Sequence, residues 1–328
     1  MRKRLFAAAL LAAAVVLLLP AGCSRAPAED SGRKRIVATI FPAYDWVREV
    51  LGEKAADWDV TLLLDNGTDL HSYQPTADDV IRISTCDLFV YVGGESDAWV
   101  DDALAGAPNP DRVVIHLLDV LGDAAREEET VEGMQTEAHD HDGDHEEEEP
   151  EYDEHVWLSL RNAALFCREI AGQLGALDPA GRETYAASAD AYIEKLNALD
   201  AAYASVVEQS AVRTVVFGDR FPFRYLTEDY GLAYYAAFSG CSAEAEASFE
   251  TVVFLARKVD ELGLHAVLTI ESGDGRIAQR IAETAETGAV QVLQLDSMQS
   301  VTAADAAAGT TYLGVMEANL AVLRQALQ

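Results

Sequence analysis

The sequence predicts an α/β protein of two α/β lobes with mostly parallel sheets, joined by one long rigid helix. Three observations carry that expectation. Short apolar runs alternate with amphipathic stretches, the alternation comes in two blocks, and an uninterrupted helical pattern lies between the blocks. About 290 residues follow the first 34, too many for one typical small domain and comfortable for two.

The chain opens with Arg2, Lys3 and Arg4, an Ala, Leu and Val run over 5–19, and then Pro20-Ala21-Gly22-Cys23. Charge, short apolar run and small residues in that order form a secretory signal, and the run falls short of the roughly 20 residues of a spanning helix. Residues 1–22 are read as a signal peptide, and Cys23 as the residue that receives lipid. Pro20 replaces the Leu usual in such a signal. Residues 23–34 are polar and turn-rich, a flexible tether. The expected location is extracytoplasmic, anchored to the cell membrane by lipid.

The first lobe is expected over 35–175. Its strand-like runs are 35–40, 60–64, 88–92 and 113–117, with helix-like stretches around 43–51, 77–84 and 97–105. The second lobe is expected over 210–328, with strands at 214–217, 233–236, 266–270 and 290–295 and helices at 249–262, 275–284 and 312–327. Strands separated by helices of this length argue for parallel sheets covered by helices. Residues 176–209 are read as the linking helix. Pro179 suits its first turn, Tyr185, Tyr192, Leu196, Leu199 and Tyr203 recur at near-helical spacing, and no Gly or Pro interrupts 182–208.

One segment breaks the pattern. Residues 127–154 are dominated by Asp and Glu, with His139, His141 and His145 among them, and read as a mobile acidic loop inserted in the first lobe. The whole chain carries a formal net charge of -32. Such a protein repels nucleic acid and anionic lipid surfaces and draws cations. Nucleic acid is excluded as a partner, and membrane attachment is left to the lipid. Cys86, Cys167 and Cys241 follow Cys23; they do not form a disulfide scaffold, and whether any two of them pair is not legible.

Four of the seven histidines lie outside the acidic loop. His116 and His265 sit at or beside apolar strands and read as structural. His71 follows a strand in Asp69-Leu70-His71-Ser72-Tyr73-Gln74-Pro75, and loops at the carboxyl ends of strands are where α/β proteins bind ligands. His155 stands in Asp153-Glu154-His155-Val156-Trp157-Leu158-Ser159, where the acidic loop meets a helix. In the second lobe Asp219, Arg220, Glu271, Asp296 and Gln299 occupy strand-end positions. Two neutral imidazoles and an anionic oxygen suit Zn²⁺, and Mn²⁺ accepts the same atoms with more oxygen.

These stretches, with Phe223-Arg224-Tyr225-Leu226, Tyr230-Gly231-Leu232, Thr311-Tyr312, Met316 and Asn319-Leu320, give the chain a resemblance. From Arg35 to Leu327 it is similar to the substrate-binding lipoproteins of zinc and manganese ABC importers. The resemblance implies metal ligands at His71 and His155 from the first lobe, with the remaining ligands from the second. The third place falls on Arg220, which cannot bind a cation, so the adjacent Asp219 is expected to serve. The fourth falls on Gln299, through its amide oxygen. The competing assignment pairs Asp219 with Arg220 and lets Glu271 or Asp296 reach the metal.

The resemblance further implies a monomeric receptor, not an enzyme, that carries Zn²⁺ (or Mn²⁺) as cargo to an ABC permease and its ATPase. Zinc-type members often carry a His- and acid-rich insertion where 127–154 lies, which would collect metal beside the cleft. The alternatives are a surface adhesin and an extracytoplasmic metalloenzyme. No His-Glu-x-x-His motif, nucleophile elbow or Ser-His-Asp arrangement supports the enzyme.

Overall fold

The computed structural model describes residues 32–105, 108–135, 151–242 and 246–328. The signal peptide, Cys23 and His139, His141 and His145 lie outside the described residues. Among the described residues no helix is long and apolar enough to cross a membrane.

The first lobe runs β1 (Lys34–Ala38), α1 (Phe41–Leu51), β2 (Trp58–Leu62), α2 (Ala77–Thr85), β3 (Leu88–Tyr91), α3 (Trp99–Ala105), β4 (Val113–His116) and α4 (Leu117–Leu121). Then come α5 (Leu160–Leu177) and α6 (Arg182–Gln209). The second lobe runs β5 (Thr214–Phe221), α7 (Arg224–Tyr230), β6 (Ala233–Ser239), α8 (Phe249–Leu262), β7 (Ala266–Ile270), α9 (Arg276–Thr284), β8 (Gln291–Leu295), α10 (Ala303–Ala307) and α11 (Tyr312–Ala326). Two four-stranded sheets result, ordered β2-β1-β3-β4 and β6-β5-β7-β8, and every pairing between their strands is parallel. In each sheet the second strand of the lobe lies to one side of the first and the third to the other. That order leaves a crevice at the carboxyl ends, where loops can converge on a ligand.

α6 carries its buried residues Tyr185, Ala189, Tyr192, Leu196, Leu199 and Tyr203 along one stripe. Near its start the Tyr185 hydroxyl accepts from Trp58 Nε1 at 3.0 Å, in the first lobe. Nearer its end the Tyr203 hydroxyl donates to the Met316 carbonyl at 2.6 Å, in the second. The helix therefore ties β2 to α11. α11 reaches back as well: Tyr312 N–H donates to Asp45 of α1 at 2.8 Å, and its ring meets Trp46 edge-on with centroids 5.1 Å apart. One apolar cluster runs through both lobes, and a smaller one lies within the second.

Three expectations are corrected. Pro179 lies in a turn before α6, whose N-cap is Gly181. β5 continues to Phe221 across a register shift between Phe217 and Arg220, so Asp219 and Arg220 belong to the strand, not to a loop beyond it. Residues 127–135 are not part of a free acidic loop. Glu127 bridges Tyr152, Glu129 pairs with Arg224 at 2.9 Å, and Gln135 N–H donates to the Ala237 carbonyl. Cations of the second lobe meet these acids, so the start of the insertion lies packed against that lobe.

Candidate metal centre

His71 sits in a short 3₁₀ turn, Leu70–Ser72, reached from β2. Asp69 caps the turn by accepting the His71 N–H at 3.0 Å, and buried Leu70 anchors it. The ring is fixed from behind: Nδ1 hydrogen-bonds Ser96 Oγ at 2.8 Å and lies 3.5 Å from the Glu154 carboxylate. Ser96 is delivered by the loop after β3. Glu154 reaches it across Gly94, where a Cβ would stand 2.4 Å from Oε1, and there Oε1 accepts the Ser96 N–H.

His155 is wholly buried. Asp153 accepts both its backbone N–H, at 2.9 Å, and its ring Nδ1, at 3.0 Å. Asp153 is itself placed by its N–H donating to the Arg126 carbonyl and by the Tyr225 hydroxyl donating to its carbonyl. A carboxylate on Nδ1 keeps the proton there and leaves Nε2 with its lone pair exposed.

The two Nε2 atoms face each other at 3.1 Å. Two ligands of a tetrahedral zinc with Zn–N bonds of about 2.0–2.1 Å are separated by about 3.3 Å. The arrangement is therefore near that of two corners of a zinc site. Burial drives the His71 imidazole down to about 3, and the His155 ring adds to this. Burial acts on His155 in the same sense, but Asp153 outweighs it and holds that imidazole above the usual histidine range.

The second-lobe residues named from the sequence are arranged differently. Asp219 Oδ2 accepts from Thr269 Oγ1 at 2.5 Å and Oδ1 from the Arg220 N–H at 2.9 Å. Arg220 reaches across the cleft to Asp69, 2.6 Å away, and this pairing overcomes burial to hold Asp69 below the usual carboxylate range. Glu271 accepts from the Ser297 N–H at 2.7 Å, the Ser297 hydroxyl at 2.8 Å and the Gln299 N–H at 3.1 Å. Asp296 accepts the Met298 N–H at 2.7 Å, and burial, with Glu271 nearby, raises it to about 6. Gln299 is buried; its amide N–H donates to Ser297 Oγ, while Oε1 has no hydrogen-bond partner. It lines a small cavity with Leu70 and Trp157.

Among the described residues, the cluster of His, Cys, Asp and Glu donors able to hold a metal is His71, His155 and Cys241, with ligand atoms within 4.8 Å of one another. Cys241 was legible only as a spare thiol. The signal that marks it is the one used for Asp219 and Glu271, a donor in the loop leaving a strand, here β6. Cys86, Cys167 and Cys241 are all free. Ser96 and Glu128, which contact the cluster's residues, stand in no motif, and Asp153 is quoted only as part of the stretch around His155, because the role of each depends on what lies beside it.

A family model described as zinc-uptake complex component A, periplasmic, matches residues 36–326. The zinc-binding lipoprotein AdcA of Streptococcus pneumoniae is 34% identical over 316 residues, which are 96% of this chain and 60% of that protein. The chain thus spans about 60% of the length of that relative. The high-affinity zinc uptake system protein ZnuA of Bacillus subtilis is 26% identical over 96% of this chain and 95% of its own. The Zn(II)-bound ZnuA-like domain of the pneumococcal AdcA superposes with a TM-score of 0.68 at 31% identity, covering 90% of this chain and 99% of that domain.

Proposed function

The chain belongs to the family of periplasmic zinc-uptake A components, and we propose that it is an extracytoplasmic receptor that binds Zn²⁺ between its lobes and delivers it to an ABC permease driven by an ATPase. The observation that carries this reading is the pair of imidazole Nε2 atoms 3.1 Å apart, each ring oriented from behind by its own hydrogen-bond partner. Two lone pairs at that separation repel unless a proton or cation lies between them. Imidazole favours zinc over manganese, whose preference runs to oxygen. Gln299 Oε1, buried and without a donor, is the oxygen we assign to complete the shell.

The metal is cargo here, so the site must release it. The Arg220–Asp69 ion pair holds the walls of the cleft together beside His71. Docking on a permease that separates these walls would withdraw the second-lobe donors from the two histidines. Lipid on Cys23 keeps the receptor, a monomer, beside that permease.

Calorimetric titration of the metal-free protein, first with zinc and then with manganese, tests the reading. One tight zinc site that manganese fills more weakly is the expected result. Absence of a stoichiometric zinc site, or a preference for manganese, overturns it.

A further inference from the structure

We infer that the Cys241 thiolate is the third zinc ligand, so that the site is a His₂Cys centre with its anionic donor supplied by the loop after β6. The inference rests on the receptor reading above and concerns which atom of the second lobe answers the two histidines.

Four observations converge on it. Cys241 Sγ shares a sphere of 4.8 Å with one donor atom each of His71 and His155. Tetrahedral zinc with Zn–N of about 2.05 Å and Zn–S of about 2.3 Å separates nitrogen from sulfur by about 3.6 Å. Closing the present spacing requires a movement of at most about 1.2 Å.

The loop is also built against the site. Gly240 lies on the His155 ring, where a Cβ would stand 2.9 Å from Cε1 and 3.0 Å from the Phe221 carbonyl oxygen. Only glycine lets the backbone approach a ligand ring this closely. The parallel register places the end of β6 beside the end of β5, with Phe221 opposite Ser239. Cys241 therefore emerges next to the strand whose own candidates, Asp219 and Arg220, are engaged with Thr269 and Asp69.

Access agrees with this, whereas burial and the carboxylates of Glu128, Glu154 and Asp153 raise the Cys241 thiol, so that the bound dication itself has to draw the proton off. A cleft of about 450 Å³ is lined by Asp69 and Ser72, on either side of His71, and by Ser242, next to Cys241. Glu128 accepts the Cys241 N–H at 3.3 Å and also interacts with its side chain. When zinc binds, the S–H bond breaks, sulfur keeps the electron pair and donates it to the metal, and the proton passes by way of Glu128 to solvent. Two neutral imidazoles alone leave the dication's charge uncompensated; one thiolate halves it. A thiolate also discriminates zinc from manganese more strongly than any carboxylate would.

X-ray absorption on the full chain loaded with one equivalent of zinc tests the inference. The expected spectrum shows one sulfur at about 2.3 Å beside nitrogen at about 2.0–2.1 Å, and Cys241→Ser abolishes the sulfur shell. In titrations Cys241→Ser weakens zinc at least about 100-fold, more than loss of an outer-shell partner, and changes manganese affinity less than about threefold. A wild-type spectrum with nitrogen and oxygen only, or a sulfur shell that survives Cys241→Ser, overturns the thiolate. If His71→Ala and His155→Ala still abolish binding in that event, the receptor reading stands without it. If neither does, both readings fall.

Discussion

The two walls of the cleft put their polar side chains to opposite ends. On the first-lobe wall, His71 and His155 each have one ring nitrogen engaged and one aimed into the site. On the second-lobe wall, the carboxylates of Asp219, Glu271 and Asp296 are taken up by backbone N–H and hydroxyl donors of their own lobe. Both sets stand near the carboxyl ends of strands. The lesson is that position at a strand end leaves these three carboxylates engaged within their own lobe, whereas each histidine keeps one ring nitrogen facing the site. Acidic residues at strand ends have a second occupation, since the turns that follow expose N–H groups needing acceptors.

Substitution can break this comparison, beginning with the largest effect. His71→Ala and His155→Ala should each lower zinc affinity at least about 1000-fold, because each removes a direct bond to the metal. Circular dichroism should remain that of the parent for His71→Ala, and competition with a chelator reads the affinity. Next, Asp153→Asn should weaken zinc by roughly 10- to 100-fold, the range for a partner that orients a ligating histidine. An effect below threefold would mean that the first wall is not organised from behind as described.

Acid should act through the same residues. The proton competes for Nε2, and because Asp153 holds His155 above the usual histidine range, competition begins at higher pH than for a free imidazole. Zinc affinity measured from about pH 8 down to about pH 6 should fall roughly tenfold or more, never rise. In Asp153→Asn the fall should shift to lower pH. A flat profile would show that the pair is not the acceptor of the competing proton.

The second wall should respond in the other currency. Glu271→Gln should leave zinc affinity within about threefold and instead cost about 1–3 kcal/mol of stability in urea unfolding, as its N–H and hydroxyl donors lose a charged acceptor. A larger loss of zinc than in Asp153→Asn would reverse the comparison. Smallest of all, deletion of residues 136–150 should change tight zinc binding less than about twofold, since no residue assigned to the site lies there. The cut must begin after Gln135, because Glu128 contacts Cys241 and Gln135 bonds to β6.

Much of the molecule was legible in its sequence. Among the described residues all eight strands appear within a few residues of the stretches read from apolar runs, because parallel strands buried by helices have near-continuous apolar text. The long helix was marked by its Tyr and Leu spacing, since a repeat near 3.6 can bury one stripe only as a helix. The short helices α4, α7 and α10, of 5, 7 and 5 residues, were not marked as helices, because one or two turns carry no period. His71 and His155 could be named because histidine is scarce and both stand outside apolar runs.

What the sequence by itself determined, then, was the alternation, the pair of sheets, the connecting helix and the two histidines that meet on one wall. Only the tertiary structure decided how the opposite wall is arranged. Residues 151 apart in sequence, Asp69 and Arg220, pair there, and no pattern along the chain records which pairs form. Gly240 permits an approach to His155 that depends on the register of β6 against β5. The pairing that satisfies Asp219 and Glu271 is likewise a matter of neighbours in space. A donor is known by what it is not bonded to, and that becomes visible only when every competing hydrogen bond is in place.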